Sequence, residues 1–160
     1  MSARTDFTTA QWAALIEAGP AIALAVASAA GSAGQSETEL AAFIELVGRT
    51  TAEAAPEESL LGRVVADIQG RLAAGWRPTG TEPYMDGLEA ARKAGAILGV
   101  AADPADAAAI RGWLLTAART VAEATREGGV LGVGGAQVSV HERETIQAIA
   151  DALGADVDAA

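Results

Sequence analysis

The sequence contains no cysteine and few basic residues, and both shortages exclude particular classes of protein. Without cysteine the chain forms no disulfide bonds and no thiolate metal sites, which fits a reducing cytosol. Lysine and arginine total 11 against 21 aspartate and glutamate residues, which gives a net charge of −10. Nucleic acids and anionic membrane surfaces bind basic surfaces, so we expect neither as a partner. An acidic surface is instead compatible with divalent cations, basic partner proteins or simple solubility.

The chain also lacks a signal-like N-terminus and a long apolar run. Residues 1–9 do not show the basic-then-apolar pattern of a signal peptide. The longest apolar run, residues 20–30, is too short to cross a bilayer by itself. We therefore expect a cytoplasmic protein without membrane insertion.

Alanine is the residue that the chain has in excess, at 41 of 160 positions. Alanine is the best helix former, and its small side chain lets neighbouring helices approach closely. A chain of this length can bury a core within one domain. The composition therefore predicts an all-α, single compact bundle over residues 1–154, with residues 155–160 as a frayed tail.

Capping residues and apolar spacing predict about seven helices. Thr8-x-x-Gln11 caps the first helix, which Gly19-Pro20 ends, and a second helix then covers residues 20–30. That second helix is apolar nearly all round and should be central. The remaining helices are expected at about 37–52, 56–72, 82–100, 103–127 and 140–153, with residues 75–81 as the midpoint linker. Core and linker anchors are expected at Trp12, Trp76, Tyr84 and Trp113.

Two segments of the chain share one local pattern. Ser36-x-x-Glu39 and Ser139-x-x-Glu142 are both capping boxes, and each follows an alanine-containing helix and a loop with glycine. The shared pattern predicts an internal duplication, with two pseudo-repeated halves at about 1–75 and 82–154.

The residues that carry this duplication resemble TerB-like, tellurite-resistance-associated proteins. Ala29-Ala30-Gly31 precedes the first capping box, and Arg126-Glu127-Gly128 precedes the second. The resemblance implies a pseudo-twofold helical bundle with an acidic cation site beside the glycine-containing turns. The family usually has an acid just before the glycine. Glu127 keeps this acid and Ala30 does not, so the resemblance favours a cation site in the second half.

Four residues around the second turn form a candidate divalent-cation site. Glu123 and Glu127 lie four residues apart on one helix, where like charges repel, and Glu127 lies in the last turn, where the helix dipole disfavours anions. Such locally unfavourable placements point to function. His141 and Glu142 begin the next helix, and a site rich in oxygen ligands favours Ca²⁺ or Mg²⁺. The alternative is a solvated acidic face neutralised by Arg119, Arg126 and Arg143.

The sequence carries no catalytic or cofactor motif that we can argue from its residues. The single histidine, His141, has no partner serine, and the loop at 128–137 lacks the glycine spacing and the preceding strand of a dinucleotide site. Its apolar residues Val130, Leu131 and Val133 either fold back on the bundle or form a partner surface. We therefore expect a non-enzymatic stress-associated or scaffold protein that acts through a protein partner or self-association. The alternative is a small enzyme or ligand-binding bundle with its site near this turn.

Overall fold

The computed structural model describes residues 1–29, 36–53, 59–76, 81–127 and 140–155, and the side chains of 36–39 and 125–127 are outside this description. These residues form a short 3₁₀ turn at Arg4–Asp6 and six α-helices. The helices are α1 (Thr9–Ala29), α2 (Ser36–Glu53), α3 (Leu60–Ala73), α4 (Pro83–Ala101), α5 (Pro104–Glu127) and α6 (Val140–Leu153). The described segments contain no strand. The all-α prediction is confirmed, although the helices number six rather than seven.

The helix count differs because the predicted break at Gly19-Pro20 is wrong. Residues on both sides form one helix, α1, with Pro20 in its interior. Pro20 removes one backbone donor, at a cost of about 3 kcal/mol. Eleven of the 21 residues in α1 are buried, including Ile16, Ile22 and Val26. Each such aliphatic side chain contributes about 1.5–3 kcal/mol on burial, so tertiary packing outweighs the local effect of proline.

Three of the other helix ends follow local capping residues. Thr8 and Gln11 form a reciprocal capping box, in which the Gln11 amide donates to Thr8 Oγ1 (3.2 Å) and the Thr8 amide donates to Gln11 Oε1 (2.8 Å). Asp103 Oδ1 accepts from the amides of Ala105 and Asp106 at the start of α5 (2.9 and 3.2 Å). Gly154, at φ +64°, ends α6 as expected. These three predicted ends are confirmed.

The predicted start of the fourth helix at Pro56 is wrong. The corresponding helix, α3, begins at Leu60, and Ser59 is its extended N-cap residue. The Ser59 hydroxyl accepts a hydrogen bond from the Gly62 amide (2.9 Å). Two start signals lie three residues apart in the sequence, and Ser59 is the one that satisfies a backbone amide of the helix.

The core is built around α1, which contacts all five other helices. Its most extensive contacts are with α4, so the strongest helix pair joins the two predicted halves. Trp12 and Trp113 are buried in the shared core, and Trp76 packs against the core from its edge. Tyr84 is 42% exposed, so of the two predicted roles, core anchor and linker anchor, the core role is wrong for this residue. It lies in the first turn of α4, one turn before the first buried leucine of that helix, Leu88.

Helices α1 and α4 run antiparallel at close range. A Cβ atom added to Gly87 on α4 would lie 2.4 Å from Ala25 Cβ and 2.9 Å from the Ala21 carbonyl oxygen on α1. Further along, the positive charge of Lys93 lies close enough to Glu17 for the two to interact electrostatically. Small residues at this crossing allow the two backbones to approach.

As one continuous helix, α1 is long and apolar enough to cross a membrane by length and composition. The apolar helix is therefore longer than the run at 20–30, and its length does not exclude a membrane span. Within the bundle, 61% of the apolar window of α1 is buried against other helices. The central helix of a helical bundle has the same length and composition as a membrane span, so these two properties do not decide between them.

Several predictions fall on residues outside the described segments. These are the loops at 31–34 and 128–138, most of the linker at 75–81, and the end of the chain beyond Ala155. The internal duplication and its two halves stay a prediction.

Candidate functional site

The four residues predicted to bind a cation occupy different environments. Glu123 is exposed on α5, and Glu127 is the last residue of that helix, with its side chain outside the described part of the structure. His141 and Glu142 both lie in the first turn of α6. His141 is exposed, whereas Glu142 is only 3% exposed. Although the two residues are adjacent in the sequence, His141 is exposed to solvent and Glu142 is buried in the protein.

The described side chains include no group of three or more aspartate, glutamate or histidine residues that could hold a metal ion. This search does not cover Glu127 or the loop at 128–139. The predicted cation site therefore stays a prediction, and Glu127 is the residue on which it depends.

A surface groove of about 600 Å³ lies between α1 and α4. Its floor is one face of α1, where residues recur every three or four positions: Ala10, Ala13, Ala14, Glu17, Ala21 and Leu24. This face spans 14 residue steps, or about 21 Å of helix. None of the residues lining the groove is buried, so it is open to solvent rather than an enclosed cavity.

The walls of the groove come from α4 and from the segment after α3. On α4 the lining residues Pro83, Asp86, Ala90 and Lys93 follow helical spacing, with Glu89 beside them. The segment after α3 contributes Trp76, whose indole is partly buried against the core. Aromatic residues that pack on one side and remain accessible on the other are frequent in binding surfaces.

Trp76 is positioned by the way α3 ends. Gly75 adopts φ +88°, its amide donates to the Leu72 carbonyl oxygen (3.0 Å), and the Trp76 amide donates to the Arg71 carbonyl oxygen (3.0 Å). This is a Schellman motif, in which glycine takes the left-handed conformation that other residues adopt at a cost. The motif fixes the backbone of Trp76 directly after the helix, beside the groove.

The rim of the groove is predominantly acidic. Glu17, Asp86 and Glu89 face one lysine, Lys93, among the lining residues. Lys93 Nζ lies 2.7 Å from Glu89 Oε1, and Arg71 lies 3.4 Å from Glu17. The hydrogen bond from Lys93 lowers the pKa of Glu89, and the same bond raises the pKa of Lys93. Both groups therefore stay charged at neutral pH, and the lining residues carry a net negative charge.

A second and smaller cavity, of about 450 Å³, lies on the neighbouring face of α1, and Ala13 lines both cavities. Its polar groups serve the packing of the N-terminal segment. The Arg4 guanidinium lies 4.7 Å from the centre of the Trp12 ring, and Trp12 Nε1 donates to the Asp67 carboxylate (2.8 Å). These contacts tie the 3₁₀ turn and α3 to α1, which is a structural role.

The sequence pattern by itself does not predict the groove. The sequence does contain one indication of the groove floor, because the lining residues of α1 follow helical spacing through Gly19-Pro20. A break placed at Pro20 divides this face in two, and the positions of α4 and Trp76 depend on tertiary packing. The acidic composition was the one visible indication of a charged binding surface.

Comparison with known proteins gives no relative from which a function could be transferred. No family model matches the chain, and neither curated proteins nor solved structures provide a match. The TerB-like resemblance accordingly remains an expectation from the motif residues.

Proposed function

We propose that this chain is a non-enzymatic interaction protein that binds a protein partner through the groove between α1 and α4. The observation that carries the proposal is the groove itself. It combines a floor of small side chains, one accessible tryptophan and an acidic rim on two rigid helices. Binding surfaces commonly combine an apolar centre with a polar rim, and aromatic residues are enriched there.

Protein binding fits this groove better than catalysis does. Its polar lining groups are exposed carboxylates and one lysine, of which Glu89 and Lys93 already form an ion pair. The described lining residues include no serine, threonine or histidine that could act as a nucleophile or base. The volume would admit a small ligand, but such ligands generally bind in sites that enclose most of their surface. The alternative is an enzyme with its site near the turn at 128–138, and this turn lies outside the described residues.

The wider parts of the proposal come from the sequence. A stress-associated role follows from the TerB-like resemblance, and a cytoplasmic location follows from the composition. Weak divalent-cation binding near Glu127 is a separate proposal, which does not depend on the groove.

The proposal can be tested by filling the groove. Ala14 is partly exposed on its floor, and Ala14→Phe places a large side chain there. Ala108 is exposed on α5 and does not line the groove, so Ala108→Phe adds the same apolar surface elsewhere. Immobilised parent and variants would be exposed to an extract of the source cells, after circular dichroism and urea unfolding show equal folding.

We expect a defined protein to be retained by the parent and by Ala108→Phe, with at least a tenfold reduction for Ala14→Phe. Retention that is equal for all three proteins, or absent from the parent, would contradict groove-mediated binding.

A further inference from the structure

We propose that the occupant of the groove is a cationic amphipathic helix of a partner protein. This inference rests on the proposed function and specifies the chemistry of the partner. Three properties of the groove carry it: the sign of the rim charge, the length of the floor and the size of the floor side chains.

The charge of the rim selects a basic partner. Glu17, Asp86 and Glu89 border the groove. Arg71 pairs with Glu17 and Lys93 pairs with Glu89, so these five groups keep a net negative charge. A second copy of this chain would bring a net charge of −10 to the same surface. Like charges across an interface disfavour binding, whereas lysine or arginine opposite these carboxylates would accelerate association and stabilise the complex.

The shape of the groove selects a helix. The floor follows one face of α1 for about 21 Å, which is the length of roughly 14 helical residues. The floor and one wall of the groove are helices, and α4 runs antiparallel to α1. The alanines at 10, 13, 14 and 21 leave room above α1, so a third helix could approach to an interaxial distance of about 8–10 Å.

The position of Trp76 gives such a helix an apolar contact. Its indole lines the same groove as the alanines of α1, and Met85, which is 51% exposed, precedes Asp86 on α4. Apolar side chains on one face of the bound helix would contact alanine and tryptophan. Basic side chains at the edges of that face would reach the carboxylates, as in other helix-in-groove complexes.

The test uses a fluorescein-labelled 18-residue peptide of leucine, alanine and lysine with its leucines at helical i, i+3 and i+4 spacing. Its fluorescence anisotropy would be measured against the full chain. One control peptide has the same composition in scrambled order, and another has glutamate in place of lysine. We expect saturable binding of the amphipathic lysine peptide, at least tenfold weaker binding of both controls, and weaker binding at higher salt.

The groove is tested with two triple variants of equal net charge. The first, Glu17→Gln with Asp86→Asn and Glu89→Gln, neutralises the rim. The second neutralises three exposed carboxylates that do not line the groove, by Glu45→Gln, Glu53→Gln and Glu144→Gln. We expect about tenfold weaker peptide binding for the rim variant, and less than a twofold change for the control variant.

Other occupants give different results. Equal loss in both triple variants would show only a general attraction to an acidic protein and would overturn the inference. So would equal binding of the scrambled peptide, or displacement of the peptide by monomeric dodecyltrimethylammonium at equal concentration. Concentration-dependent dimerisation that Ala14→Phe abolishes would identify a second copy as the occupant instead.

The inference and the proposed function can fail separately. If no peptide binds but extract retention still depends on Ala14, the groove binds a partner of another chemistry. If the peptide binds in the groove but extract retention is insensitive to Ala14→Phe, the proposed function fails while the chemical preference of the groove stands.

Discussion

Single glycines decide how closely the central helix pair packs. A methyl group at Gly87 would overlap Ala25 Cβ and the Ala21 carbonyl oxygen, and neither the small side chain nor the helix backbone can move aside easily. At Gly112, in the middle of α5, an added Cβ would meet nothing within 4 Å. The same substitution should therefore have opposite effects at these two helical positions.

We predict that Gly87→Ala lowers the free energy of unfolding by about 1–2 kcal/mol. The overpacking cost of about 1–3 kcal/mol outweighs the gain in helix propensity of about 0.5–1 kcal/mol. Gly112→Ala, as the matched control, should raise stability by about 0.5–1 kcal/mol. Urea unfolding followed by circular dichroism measures both. A stabilising effect of Gly87→Ala would mean that α1 and α4 do not pack as described.

A helix end can be predicted from the sequence when it depends on residues close to it in the chain. The ends at Thr8, Asp103 and Gly154 could be predicted because each depends on residues within one turn of the end. The continuity of α1 could not, because it depends on the burial of residues around Pro20 by helices distant in sequence. The groove could not be predicted for the same reason, since its α4 wall lies more than 50 residues after its α1 floor.

The start of α3 gives a prediction in which the sign of the change in the free energy of unfolding is decisive. Because Ser59 is the N-cap, Ser59→Ala should lower the free energy of unfolding by about 1 kcal/mol, and Ser59→Asp should leave it near the parent value. The measurement is again urea unfolding. A helix beginning at Pro56 would instead place residue 59 inside the helix. There alanine is the better helix former, so Ser59→Ala would be stabilising.

At the scale of the whole molecule, a net charge of −10 means that any cation stabilises the folded chain to some degree by screening. A specific site has to be separated from this general effect. Glu127 is the appropriate probe, because it ends α5. There its charge is disfavoured both by Glu123, four residues earlier, and by the helix dipole.

We predict that millimolar Ca²⁺ or Mg²⁺ raises the melting temperature of the parent more than that of Glu127→Gln, because an ion bound by the folded state stabilises it by mass action. Glu45→Gln is the charge-matched control, and all samples should have equal ionic strength. If the ions raise all three melting temperatures equally, screening explains the effect and the predicted site at Glu123, Glu127, His141 and Glu142 is wrong.

The pairing of α1 with α4 has a consequence for synthesis on the ribosome. Between the end of α1 at Ala29 and the start of α4 at Pro83, the ribosome has to add more than 50 residues. At roughly 5–20 residues per second, this takes about 3–10 s. During that interval the most apolar helix of the chain has left the ribosome without its principal partner. Nascent chains should therefore depend on chaperones until α4 emerges.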